Sequence, residues 1–287
     1  MLPCGRLPLD IDTFAMDNSG TAKEGVGSTN AGIDGYCPLA AYLGTHSFSL
    51  DLTLLPGTQH SAKHTDDDLR RLVPPAQRLS AAGPKAPLLA RLDSGFDSTA
   101  LMACCESMSL PSVPQLDWII KWNSRSTDAA QLANELDAAG TAWEHRRAGK
   151  RMATWEQTVQ VPRVQRAVRR VLRLVERTIG SRGQHLILPE YELDGRTTTL
   201  PLSLDAQKTI ALYASLGTHE QFQAEFRTDL DLTRLPLRYV RHQRAGVPPF
   251  GVDDEHPAAD GPARDALAGC TRVPRGQSTA SRRLCRI

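Results

Sequence analysis

Carboxylates in three separate stretches of the chain could act together on metal ions. Asp10 and Asp12 lie two residues apart in the apolar run 7–14, so an extended strand would place both on one face. Asp93 directly follows a short apolar run, and Glu220 lies in a segment with helical periodicity. If one acid from each stretch converged, the three could hold two divalent ions, because Mg²⁺ prefers oxygen ligands. Such a site would activate a water or a 3′-hydroxyl at a phosphodiester.

Each acid also has an ordinary structural explanation. Asp93 could merely cap the helix that begins near Ser98, since an unpaired carboxylate is costly to bury. The Glu220 segment could be an amphipathic helix with a solvated polar stripe. That stripe, within an arc of roughly 60° at about 100° per residue, contains Tyr213, Leu216, Glu220 and Arg227. Taken alone, neither segment favours catalysis.

Hydrophobic periodicity predicts an α/β fold with a mixed sheet and flanking helices. The predicted strands are 7–14, 36–43, 48–54, 88–92 and 117–122, and the predicted helices are 65–73, 98–107, 127–139 and 206–227. The first three strands indicate an antiparallel meander. Pro74-Pro75 should end or bend the helix that starts at Thr65. Asp93 would then lie at the carboxyl end of its strand, where open α/β sheets bind ligands.

Residues 141–200 have a different texture, with Val, Trp and Arg interleaved. The run 168–175 fits either a strand or a helix, and the similar pattern that follows it favours strands. Asp194-Gly195 is typical of a hairpin turn. We therefore predict a β-rich, basic insertion. Its charge fits a phosphate-binding surface, although charge alone fits a solvated face equally well.

Composition limits the remaining classes of protein. The chain has 287 residues and a net charge of +2 from 34 basic and 32 acidic residues, so it is no global polyelectrolyte. Six cysteines without a CxxC pair indicate neither a zinc site nor a disulfide framework, which suits a reduced, cytosolic protein. No apolar run approaches the roughly 20 residues that span a bilayer, and residues 1–9 lack a signal-peptide pattern. The predicted units are a core at 1–140, the insertion at 141–200, the end of the core at 201–237, and a disordered tail at 238–287.

Three blocks of sequence resemble DDE transposases of bacterial insertion sequences, in the subgroup with a β-rich insertion and a Tyr-Arg-Glu-Lys signature. The shorter blocks Asp-Asn-Ser-Gly-Thr, Pro-Gly-Thr-Gln-His-Ser-Ala-Lys and Arg-Thr-Asp-Leu-Asp-Leu-Thr-Arg-Leu-Pro are also similar to the family. The resemblance runs from about Leu9 to Pro236. The three main blocks are Leu9-Asp10-Ile11-Asp12, Arg91-Leu92-Asp93-Ser94-Gly95-Phe96-Asp97, and Tyr213-x-x-Leu216-Gly217-Thr218-x-Glu220-Gln221-Phe222.

The resemblance implies an RNase H-like fold with the insertion placed before the last catalytic acid. It implies Asp12, Asp93 and Glu220 as catalytic ligands of two Mg²⁺ or Mn²⁺ ions, with Asp10 as the alternative first acid. Metal-dependent strand cleavage and transfer at transposon ends is the implied activity. The implied partners are transposon-end DNA and target DNA, bound by a homodimer in the bacterial cytoplasm, associated with the nucleoid. The expected DNA contacts are Tyr213 and Arg227 from the signature, and Arg169, Arg170 and Arg173 from the basic insertion.

The chain departs from the family pattern at three places. Leu216 occupies the arginine position of the signature, which removes a bidentate phosphate donor, and Arg227 occupies the lysine position. Few residues precede Leu9, and the tail after Leu237 does not resemble the family. We therefore expect a truncated or degenerate copy with poor turnover. The alternatives are a non-catalytic DNA-binding remnant and an RNase H-like nuclease that hydrolyses without strand transfer.

Overall fold

The computed structural model describes residues 1–108, 116–166, 168–215 and 271–272. The strands are β1 (Leu7–Thr13), β2 (Met16–Asp17), β3 (Gly27–Ser28), β4 (Asp34–Tyr36), β5 (Leu39–Leu43), β6 (Phe48–Thr53), β7 (Leu88–Leu92), β8 (Leu116–Lys121), β9 (Glu144–Arg147), β10 (Lys150–Val159), β11 (Val168–Ile179), β12 (His185–Thr198) and β13 (Thr271–Arg272). The helices are α1 (Thr65–Ala82), α2 (Thr99–Ser107), α3 (Ala129–Ala138) and α4 (Ala206–Ala214), and a 3-10 turn covers Ser94–Phe96. The chain thus has the mixed α/β character that its periodicity predicts.

Within the described residues, one large mixed sheet runs in the order β13-β6-β5-β1-β7-β8-β12-β11-β10-β9. The predicted meander is present, because β1 pairs antiparallel with β5 and β5 pairs antiparallel with β6. Strands β7 and β8 continue the sheet in parallel with β1. The carboxyl ends of β1, β7 and β8 therefore share one edge of the sheet. A separate small sheet has the order β2-β4-β3.

Residues 141–200 contain four antiparallel strands, β9 to β12, as the interleaved Val and Arg residues predict. These strands extend the main sheet, since β12 pairs antiparallel with β8 over Arg196–Thr198. The pairing of β11 with β12 is the longest in this half and starts at Arg169 opposite Thr198. The stretch predicted as an insertion is therefore hydrogen-bonded to β8, the neighbour of β7, which Asp93 follows.

The sheet has one apolar face and one mixed face. On the apolar face, Leu9, Ile11, Leu92 and Trp118 are fully buried in the main core with the apolar sides of α1 and α2. On the other face, Leu212 of α4 packs with a smaller apolar group near the middle of the sheet. Since burial of apolar area is the main stabilising term, α1 and α2 hold the sheet while α4 covers only part of its mixed face.

Two local predictions are wrong. Pro74 and Pro75 do not end α1, which continues to Ala82, because Val73 and Ala76 on either side of the prolines remain fully buried and offset the lost backbone hydrogen bonds. A bend at the two prolines stays a prediction. Asp194-Gly195 lies inside β12 and forms no turn. A Cβ at Gly195 would lie 2.7 Å from the Trp122 ring, so this glycine serves a close approach.

A short part of the predicted tail and four of the cysteines lie within the described residues. Most of the tail predicted to be disordered lies outside the described residues, but Thr271–Arg272 pairs with β6 at the edge of the sheet. The four described cysteines, Cys4, Cys37, Cys104 and Cys105, are free thiols. In the described part of the chain, no helix combines the length and the apolar character needed to cross a bilayer.

Candidate catalytic site

Asp12 and Asp93 lie side by side at the shared edge of the sheet. In the parallel pair β1–β7, Ile11 is opposite Leu92, so the next residue of each strand is an aspartate. Both aspartates are partly exposed, whereas Ile11 and Leu92 are fully buried. Neighbouring strands lie about 4.8 Å apart. The structure therefore brings together two of the three acids that the sequence singles out.

Local hydrogen bonds hold the backbone around both acids. Asp12 Oδ1 accepts from the Thr13 N–H at 2.8 Å, and Asp93 Oδ1 accepts from the Gly95 N–H at 2.8 Å. Asp93 thus caps the 3-10 turn, and α2 has its own cap in Ser98. The capping explanation for Asp93 is correct for this short turn and wrong for α2.

A third segment reaches the same edge from between β6 and α1. The Ser61 hydroxyl lies 3.0 Å from the Thr13 hydroxyl, next to Asp12. A Cβ at Gly95 would lie 3.1 Å from the Ser61 Oγ, which shows that this segment also touches the turn after Asp93. The block Pro-Gly-Thr-Gln-His-Ser-Ala-Lys of the sequence is therefore part of the wall of the candidate site.

The electrostatic surroundings of Asp93 suit a carboxylate that binds a cation. Burial raises the pKa of the Asp93 carboxyl, while the Gly95 N–H, the Lys121 ammonium, the Phe96 N–H and His60 act in the opposite direction. The pKa of the Asp93 carboxyl is raised overall, so ionisation of this group costs folding free energy. A divalent cation bound by the carboxylate would remove that cost.

Asp10 occupies a different environment from Asp12, although both lie on β1. Asp10 is 1% exposed, and its two carboxylate oxygens accept from Nε and Nη2 of Arg91, which is 3% exposed. Nη1 of Arg91 donates to the Leu212 carbonyl and to Ser215 Oγ at the end of α4. The alternative in which Asp10 is the first metal ligand is therefore disfavoured, because Arg91 engages both of its oxygens. This ion pair instead ties the sheet to α4.

Tyr213 of α4 lies near Asp12 and Asp93. Burial raises the pKa of the Tyr213 hydroxyl, and the negative charges of Asp93 and Asp12 raise it further, with Arg196 opposing them. The Arg196 guanidinium stacks on the Tyr213 ring with 4.9 Å between the guanidinium carbon and the ring centroid. Tyr213 is thus close enough to both acids to feel their charge.

The three arginines predicted to bind DNA have three different surroundings. Arg169 is 6% exposed and donates to Glu156, to the Leu204 carbonyl and to Thr209, so it binds several groups of the protein, and its contact with DNA stays a prediction. Arg170 is partly buried and stacks on Trp122 at 4.5 Å. Arg173 donates to Asp194 at 3.0 Å. DNA contact by Arg170 or Arg173 stays a prediction.

The remaining predicted residues fall beyond the described part of the chain. Glu220, Arg227 and Leu216 lie outside the described residues, and α4 is described only as far as Ala214. In the described residues, no group of three or more His, Cys, Asp or Glu side chains is arranged to hold a metal ion. The donors at hand, two adjacent carboxylates, fit a hard cation such as Mg²⁺, and a third ligand would have to come from elsewhere.

Arg91, Lys121 and Arg196 are the site residues that the sequence interpretation missed. Arg91 interrupts a run of buried apolar residues, and a charge at such a position indicates a buried partner. Lys121 ends the strand parallel to β7, at the same sheet edge as Asp93. Arg196 gave a weaker signal, because the misassigned turn at Asp194-Gly195 placed it outside any strand.

The chain was compared with known proteins. No family model and no curated protein matches it. Among solved structures, it is similar to a piggyBac transposase, described in a cryo-EM structure of a synaptic complex with hairpin DNA, with a TM-score of 0.37 and 12% identity. The match covers 76% of this chain and 40% of that one, so the chain spans less than half the length of this neighbour. A likeness this distant assigns neither a family nor an activity to the chain.

Proposed function

We propose that the chain is the catalytic domain of a DDE-type transposase, which cleaves and transfers DNA strands at transposon ends. The observation that carries the proposal is the adjacency of Asp12 and Asp93 at the ends of parallel strands. The sequence blocks that resemble bacterial insertion-sequence transposases contain these same two residues. A meander that opens on one acid, followed by a parallel strand that ends on the other, supports an RNase H-like fold.

The third acid of the proposed site is Glu220. It follows α4 in sequence, and α4 is anchored on the acid-bearing face of the sheet by the contacts of Arg91 with Leu212 and Ser215. Helix α4, which precedes Glu220 in the sequence, therefore ends on the same face of the sheet as Asp12 and Asp93. In the proposal, these three carboxylates hold two Mg²⁺ or Mn²⁺ ions. The ions would supply charge stabilisation and an activated oxygen nucleophile for phosphodiester cleavage.

The other residues of the proposed site position DNA. Tyr213 lies over the acid pair, where its hydroxyl can donate to a phosphate oxygen, and Arg227 would add a charged phosphate contact from the signature. The proposed partners are transposon-end DNA and target DNA, with two copies of the chain acting on them. The departure at Leu216 predicts poor turnover, since loss of one charged phosphate contact costs about two orders of magnitude in rate.

The test is cleavage and joining of a labelled DNA duplex by the whole chain, in Mg²⁺, in Mn²⁺ and in EDTA. We expect metal-dependent cleavage that Asp93→Asn and Asp12→Asn abolish, and that the matched control Asp34→Asn, on an exposed aspartate, leaves unchanged. Leu216→Arg should raise the rate.

The same assay separates the competing functions. DNA binding without cleavage in either metal, also after Leu216→Arg, would make the chain a non-catalytic DNA-binding remnant. Cleavage without joining of 3′-hydroxyl ends would make it a nuclease. Cleavage that survives both Asp→Asn changes would show that the acid pair is not the catalytic centre.

A further inference from the structure

A row of four charged residues crosses the sheet at the candidate site. Ile11, Leu92 and Ile120 are paired across β1, β7 and β8, so the residues that follow them, Asp12, Asp93 and Lys121, continue one row. Lys121 is paired with Arg196 of β12. Because paired residues in a sheet point to the same face, two carboxylates and two cations lie side by side on four consecutive strands. With strands about 4.8 Å apart, Arg196 lies roughly 10 Å from Asp93 along the row.

Some atoms of the Arg196 guanidinium have partners in the protein, and others have none among the described residues. Arg196 is 5% exposed, it forms an ion pair with Asp194 through Nη2 at 2.8 Å, and it stacks on Tyr213. Its Nε and Nη1 atoms are buried and have no hydrogen-bond partner among the described residues. Buried charged donors are costly to leave without an acceptor, so this position calls for a ligand with oxygen atoms.

The charges around Arg196 specify an anion. Asp194 Oδ2 is shared between Arg196 and Arg173, at 2.8 and 3.0 Å. Lys121 adds a further cation in the same row and has Asp93 on its other side, so Asp93 and Asp194 together balance two of the three positive charges. A singly charged phosphodiester fits this excess, because its oxygens accept from guanidinium and ammonium groups.

Arg151 of β10 and Arg177 of β11, which lie farther from the acids, do not offer the same. Arg151 is paired with Asp137 and Glu176, and Arg177 is paired with Glu192. Each has a carboxylate within 3.0 Å, so an approaching phosphate would have to compete with an existing partner. Arg196 follows Lys121 in the row and has two buried donors without a partner among the described residues.

We propose that Arg196 and Lys121 bind a DNA phosphodiester at the Arg196 end of the row, beside Asp93, with the Tyr213 ring stacked against the guanidinium. The inference rests on the proposed function in taking DNA as the ligand. Arg196 and Lys121 are binding residues here, and Asp93 is the next residue of the row after Lys121.

The experiment measures binding of the whole chain to a short fluorescein-labelled DNA duplex in EDTA, by anisotropy, over a series of salt concentrations. Arg196→Gln and Lys121→Gln should each weaken binding about tenfold and lower the slope of log K against log salt by about one, as expected for one lost phosphate contact. Arg196→Lys should keep most of the slope. The matched control Arg177→Gln removes an arginine from the same sheet face and should change neither quantity.

Two outcomes would overturn the inference. If Arg196→Gln lowers the melting temperature but leaves the salt slope unchanged, the guanidinium only supports Tyr213 and Asp194. If Arg196→Gln does not fold, an unchanged slope in Lys121→Gln overturns the inference by itself. The measurement contains no metal and no cleavage, so a chain that binds DNA through Arg196 but never cleaves it would contradict the proposed function and leave this inference standing.

Discussion

The arginine-rich strands β10 and β11 and the acid-bearing ends of β1 and β7 surround their charged residues in opposite ways. On β10 and β11, Arg151, Arg169, Arg173 and Arg177 each donate to a carboxylate of the protein. At the end of β7, Asp93 accepts from a backbone N–H, and burial raises its pKa. Most of the arginine charges on β10 and β11 are thus balanced by carboxylates of the same protein. At the acid edge, by contrast, ionisation of Asp93 costs folding free energy.

The comparison teaches that the number of charges in a segment does not say which of them can bind a ligand. Asp10 and Asp12 differ within one strand, since they share a face but Asp10 is buried in an ion pair with Arg91 and Asp12 is partly exposed. A charge that has a buried partner stabilises the fold, and a charge held without one is a candidate for function. Substitutions at Asp10, Arg169 and Asp93 test both kinds of charge.

The largest expected effect is on stability, from Asp10→Asn. Removing one partner of a buried ion pair leaves Arg91 uncompensated, which costs about 3–5 kcal/mol of unfolding free energy. Urea denaturation of the whole chain measures it, with Asp34→Asn as the exposed control. A loss below about 1 kcal/mol would mean that the Asp10–Arg91 pair does not anchor the sheet.

A smaller effect should separate two arginines of the same strand. Arg169→Met removes the donor to Glu156, the Leu204 carbonyl and Thr209, and should cost about 2 kcal/mol because the Thr209 hydroxyl is buried. Arg177→Met breaks a more exposed ion pair and should cost no more than about 1 kcal/mol. Equal losses in the two variants, measured by the same urea titration, would remove the distinction between buried and surface arginines.

The smallest effect has the opposite sign and concerns Asp93. Because burial raises the pKa of this carboxyl in the folded protein above that in the unfolded chain, its ionised form costs stability. The contribution of Asp93 to unfolding free energy is therefore fully present at low pH and is lost as pH rises through the raised pKa. In metal-free buffer, Asp93→Asn should be more stable than the parent chain at neutral pH, and the difference should shrink toward about pH 4.

Parallel pH profiles for the parent chain and Asp93→Asn would contradict this account. So would a destabilised Asp93→Asn, since it would place Asp93 among the structural charges with Asp10. The variant keeps an oxygen that can accept from the Gly95 N–H, so the comparison isolates the charge.

Much of the fold could be predicted from local patterns, because period-two and helical spacings of apolar residues record which side of an element is buried. The meander, the strand before Asp93 and the strands of 141–200 follow from such spacings. The continuation of α1 beyond Pro74-Pro75 and the strand through Asp194-Gly195 do not. In both cases, packing from distant parts of the chain, such as the Trp122 ring on Gly195, outweighs the local signal.

The site could be predicted only in part for a similar reason. Asp12 and Asp93 stand at the ends of apolar runs, and this position is visible in the sequence. The partners of Arg91 and Arg169 come from residues that are remote along the chain, so nothing near these arginines shows whether they are paired. The position of Glu220 relative to the two described acids stays a prediction.

Binding of Mn²⁺ to the whole chain tests the central claim, that Asp12 and Asp93 form one metal-binding carboxylate pair, most directly. The free-ion signal in electron paramagnetic resonance gives the affinity for the parent chain, Asp12→Asn, Asp93→Asn and the control Asp34→Asn. We expect each of the first two substitutions to weaken Mn²⁺ binding at least about tenfold, or about 1.4 kcal/mol, and the control to bind as the parent does. Equal affinity in all four proteins would contradict the account.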